Sequence, residues 1–87
     1  MTPQKMAEKL KKRMGCGLPT DEVIELCFSV MQQHPEKIEQ CRAAVILSGI
    51  VKSGLGKRTQ DFLDQNKKLP KRAQEILRAN IMRMECH

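Results

Sequence analysis

The residues best equipped for chemistry are four cysteines, two histidines, a knot of acids and a glycine-rich turn that leads into cations. Cys16, Cys27, Cys41 and Cys86 are separated by 11, 14 and 45 residues, whereas zinc sites want ligands in pairs two to four residues apart. His34 lies seven residues from both Cys27 and Cys41. Both of those cysteines, however, fall on apolar helical stripes, where a thiol acts as a small hydrophobe. No metal and no other cofactor is expected. Nucleophilic catalysis needs a base within hydrogen-bond reach of the nucleophile. His34 precedes Pro35 and reads as a helix-entry residue, and His87 is terminal. Asp21, Glu22 and Glu25 gather at a predicted helix start, where the dipole accounts for them. The expectation is a protein without enzymatic activity.

The glycine turn is Gly54-Leu55-Gly56, followed by Lys57, Arg58 and Thr59. Two glycines allow positive φ and close backbone approach. The helix after them presents unpaired N–H groups, which can donate to a phosphate or a carboxylate. Lys57 and Arg58 add charge at that point. Residues 15–24 align with residues 54–63: both read Gly-x-Gly-x-x-Thr, a polar residue, an acid and two apolar residues. Proline-started helices follow each, at Pro35 and Pro70. One repeat has the length of a helix pair, although shared turn-and-cap physics produces the same likeness. The first copy carries Leu18 and Pro19 where the second has its cations, so the second is the better anion site.

Residues 50–63 (Ile50-Val51-Lys52-Ser53-Gly54-Leu55-Gly56-Lys57-Arg58-Thr59-Gln60-Asp61-Phe62-Leu63) resemble the helix-hairpin-helix motif of DNA-binding proteins. The resemblance implies two helices joined by Gly-hydrophobic-Gly, with hairpin amides and nearby Lys or Thr side chains holding a DNA phosphate without reading sequence. It would assign that role to Gly54, Gly56, Lys57, Arg58 and Thr59, with Gly15, Cys16 and Gly17 as a degenerate, uncharged copy. Two positions depart from the family pattern. Ser53 stands where the family often has Pro, and Gln60 where it usually has an Ala packed between the helices. Other motifs fail. No P-loop forms around residues 49–54, because Leu55 rather than Lys follows the second glycine. With Phe28 and Phe62 as the only aromatics, there is no stacking platform for single strands.

These residues must be positioned by helices, since no run alternates with period two. The fold class is all-α: one small domain, residues 1–87, of about five short helices with a pseudo-repeat of helix pairs. Thr2 caps a first helix with Pro3 in its first turn, Met6, Leu10 and Met14 line it, and Gly15 stops it. A second helix covers about 20–33, with Val23, Ile24, Cys27, Phe28, Val30 and Met31 inward. A third opens at Pro35 and lasts to about 52. Its apolar residues (Ile38, Cys41, Ala44 to Leu47, Ile50, Val51) wrap more than one face, which makes it the central helix. A fourth covers about 57–65, with Phe62 and Leu63. A fifth opens at Pro70, with Ala73, Ile76, Leu77, Ile81 and Met84 inward. The narrow stripe of the first helix can pack on the domain or on a second copy, and a homodimer is the favoured expectation.

The 87 residues carry a net charge of +6, unevenly spread. Residues 1–13 hold five cations against one acid, 14–51 two against five, and 52–87 nine against four. Basic arms around an acidic middle suit a polyanion touched by both ends; they equally suit attraction between the ends and the middle. The expected function is a small nucleic-acid-binding or regulatory protein that grips the phosphate backbone with low sequence specificity, DNA before RNA. The gripping residues would be the hairpin set, then Lys67, Lys68, Lys71 and Arg72, then Lys9, Lys11, Lys12 and Arg13. The alternative is a protein-interaction module that uses the same cations on an acidic or helical partner and displays an apolar, Met-flanked groove. No apolar run approaches the about 20 residues a membrane helix needs and no leader pattern opens the chain, so a soluble, intracellular protein with reduced thiols is expected.

Overall fold

Thr2 opens the fold by accepting the Lys5 N–H on its hydroxyl at 3.3 Å, with Pro3 in the first turn of helix α1 (Pro3–Lys11). The computed structural model describes residues 2–12 and 20–85, so Arg13, Met14, the first glycine turn, Cys16 and Cys86 lie outside the described residues. Four further helices follow: α2 (Thr20–Gln33), α3 (Lys37–Ser48), α4 (Leu55–Gln65) and α5 (Lys71–Met84). The fold is all-α, with no strand among the described residues. None of these helices is long and apolar enough to cross a membrane.

Helix α3 is central: α1, α2 and α5 all pack against it and α4 packs on α5, although Ile38 and Val45 of its expected apolar set are exposed. One cluster of buried side chains joins all five helices. It contains Met6 and Leu10, Cys27 and Met31, Ala44 and Leu47, Leu63, and Leu77 and Met84. His34 is buried between α2 and α3, and its Nδ1 accepts the Glu36 N–H at 3.1 Å. That is the helix-entry role expected of it. The α2–α3 corner is closed by Gln40, whose amide donates to the Met31 carbonyl at 3.0 Å.

Two expectations need correcting. Helix α3 ends at Ser48, not near residue 52. Its last turn is closed by Gly49 N–H on the Ile46 carbonyl, and the chain then runs off so that Lys52 N–H reaches the Met84 carbonyl at 2.9 Å. Ile50 and Val51 are apolar but serve this crossing rather than a longer helix; Val51 is exposed. Helix α4 starts two residues earlier than expected, at Leu55, because Gly54 takes φ +85° and turns the chain into it. Met6 and Leu10 of the α1 stripe are buried against α2 and α3. Met14, the third residue of that stripe, lies outside the described residues.

Candidate polyanion-binding face

At the head of α4, the amides of the glycine turn are already bound by a carboxylate of the chain. Gly54 N–H and Gly56 N–H donate to the two carboxylate oxygens of Glu85, at 2.6 and 2.8 Å. A side chain at Gly56 would meet that carboxylate at 2.7 Å and the Ile81 carbonyl at 2.8 Å. The glycine is thus required by the close approach of α4 to α5. Helices α3 and α4, which the motif would pack on each other, are not a packed pair; each packs on α5 instead.

The hairpin's cations are engaged too. Arg58 Nη2 meets Glu25 Oε1 at 2.6 Å, and its guanidinium lies 4.5 Å from the centroid of Phe28. Phe28 in turn packs on Phe62, with ring centroids 4.8 Å apart. Lys52 pairs with Asp21. A small pocket beside the hairpin is lined by Asp21 and Glu25 together with Lys52 and Arg58, so α2 acids neutralise the cations a phosphate would seek. Thr59 is fully buried, and its hydroxyl has no hydrogen-bond partner.

The turn at the head of α5 is assembled differently. Leu69 is buried and anchors it, and Asn66 accepts the Leu69 N–H at 3.2 Å on its carbonyl. Gln74, one turn into α5, donates its side-chain amide to the Leu69 carbonyl at 2.8 Å and the Lys67 carbonyl at 3.2 Å. These bonds fix the backbone of Lys67 and Lys68 against the start of α5, next to Lys71 and Arg72. All four cations are exposed.

The outer side of α5 continues the charge. Its exposed residues include Lys71, Arg72, Glu75, Arg78, Met82 and Arg83. At 100° per residue, Lys71 and Arg78 form one row and Arg72 and Arg83 a second, about 100–140° from the first. The rows extend about 18 Å along the axis at 1.5 Å per residue. Six cations from Lys67 to Arg83 are accompanied by one acid on this face, Glu75, and none of the six forms an ion pair among the described residues.

Of the thirteen residues expected at the site, the structure brings together Lys67, Lys68, Lys71 and Arg72. Lys57 is exposed and without an ion pair, on the outer side of α4. The Gly54 and Gly56 amides are bound by Glu85 and Arg58 is paired with Glu25, while Thr59 is buried. In the first arm, Lys9 pairs with Glu22 and Lys11 with Glu39 at 3.2 Å. Glu39 also holds Arg42, at 2.7 Å. Lys12 is exposed and has no ion pair, and Arg13 is outside the described residues. Arg78 and Arg83 are members of the face that sequence reasoning left out. The seven-residue step from Lys71 and the eleven-residue step from Arg72 are the signals that find them. No protein-family model matches the chain, and no curated protein or solved structure matches it.

Proposed function

We propose that this protein binds the phosphate backbone of nucleic acid through the turn at residues 67–70 and the outer side of α5, with little sequence specificity. One observation carries the reading: six exposed cations run from the 67–70 turn along α5, and none of them forms an ion pair among the described residues. Unpaired lysines and arginines on a face about 18 Å long match roughly five base pairs of duplex at 3.4 Å each. Bracing of the turn's backbone by Gln74 supports it, because the segment that carries Lys67 and Lys68 is already ordered before binding. The hairpin is left out of the grip, since a phosphate there would have to displace Glu85 and approach Asp21 and Glu25.

The test is fluorescence anisotropy with a labelled DNA duplex, a matched RNA and heparin as competitor, across a salt series. The reading expects affinity to fall steeply with salt and to depend on Lys68 and Arg72. Absence of binding at about 50 mM salt, where six phosphate contacts bind roughly 10³-fold more tightly than at 200 mM, would remove it.

A further inference from the structure

Beside the basic face, α4 and α5 leave an open groove of about 320 Å³, lined by Gly56, Lys57, Gln60, Ile81, Met82 and Glu85. Its floor is low because Gly56 has no side chain, which the close approach of the two helices enforces. Met82 is 86% exposed on its wall while Met6, Met31 and Met84 are buried. A methionine left in water at a groove is adaptable apolar surface that the fold does not use. Of the groove's two charged residues, Lys57 has no ion pair among the described residues, while the Glu85 carboxylate is bound by the Gly54 and Gly56 amides. Arg78, one turn before Met82, lies on the same side of α5 and also has no ion pair.

We propose that this groove docks an acidic amphipathic helix of a partner protein, which seats apolar side chains on Ile81 and Met82 and sets its carboxylates against Lys57 and Arg78. Charge decides the occupant: the unpaired cations at the groove favour an acidic helix and oppose a basic one, a second copy of this chain's own α5 included. The apolar lining decides against nucleic acid in the groove, because it offers no aromatic face for a base. A trough between two packed helices suits a third helix whose apolar residues recur every three or four positions.

The probe is a labelled synthetic peptide of about 15 residues, long enough to fold as a helix, with Leu on one face and Glu on the rest. Methyl NMR of the methionines follows its titration into the full chain. Met82 is expected to shift, and the buried Met6 and Met31 to stay. Met82→Glu should weaken the peptide at least about tenfold, given the apolar burial lost. Met82→Ala, which adds no charge, should weaken it about fivefold on the same ground. Ile38→Glu, on the exposed side of α3, should leave the peptide unaffected. A peptide with Lys in place of Glu should not bind. The proposal is overturned if no peptide binds at millimolar concentration, if it binds without moving Met82, or if the Lys version binds equally well. Its failure is distinct from failure of the phosphate-binding reading, which depends on Lys68 and Arg72 and is read with DNA.

Discussion

The heads of α4 and α5 are both turns rich in cations, and they have opposite electrostatic fates. At α4, Arg58 and Lys52 face Glu25 and Asp21, and the turn amides hold Glu85. At α5, Lys67, Lys68, Lys71 and Arg72 meet no carboxylate among the described residues, and a neutral side chain, Gln74, braces the turn. The first turn joins parts of the protein: its bonds reach α2 on one side and the end of α5 on the other. The second leaves its charge to solvent. A cation count therefore says little about binding until its carboxylates are found, because a paired cation contributes much less field at a distance than an unpaired one.

The sharpest way to break this contrast is at Gly56. Gly56→Ala drives a methyl into the Glu85 carboxylate and the Ile81 carbonyl, so we expect a loss of about 1–3 kcal/mol, seen as a melting-temperature drop of roughly 5–20 °C. Unchanged melting would mean that the hairpin is not clamped on α5. Next, charge reversal at Lys68 and Arg72 should lower duplex affinity by tenfold or more at about 50 mM salt and reduce the salt slope by about 2. Arg58→Ala is expected to cost about 1 kcal/mol of stability, from a half-exposed ion pair and a cation–π contact, while changing duplex affinity by less than about twofold. Were DNA binding to fall instead with stability intact, the α4 turn would be the grip. The smallest effect is expected at Thr59. Replacing its buried, unpartnered hydroxyl by Thr59→Val should be neutral or stabilising by up to about 1 kcal/mol in chemical denaturation, with DNA binding unaltered.

Local signals in the sequence carried the helices well. Thr2 and Pro3 fix the start of α1, and the spacing of Val23, Cys27, Val30 and Met31 marks the buried side of α2. The end of α3 was not legible, because Ile50 and Val51 continue its apolar run; the chain leaves the helix there for a bond between Lys52 N–H and the Met84 carbonyl, a partner 32 residues away. The candidate site divides along the same line. Lys67, Lys68, Lys71 and Arg72 stand out as a cluster along the chain and remain together in space. Glu85, Asp21 and Glu25 reach the α4 turn only through tertiary packing, and no spacing rule along the chain reveals that. Thr59 illustrates it most plainly. After Gly-x-Gly it looks like a phosphate ligand, yet the turn of α4 that carries it faces inward.

The measurement that tests the account most directly is duplex-binding anisotropy across a salt series for three proteins: the unaltered chain, Lys68→Glu with Arg72→Glu, and Lys9→Glu with Lys11→Glu. Both double variants change the net charge by the same amount, so a general effect of charge would move them together. The account predicts that the first pair loses tenfold or more in affinity and flattens the salt slope by about 2, while the second changes affinity much less and loses the ion pairs to Glu22 and Glu39. Equal losses from the two pairs, or a larger loss from the Lys9 and Lys11 pair, would contradict it.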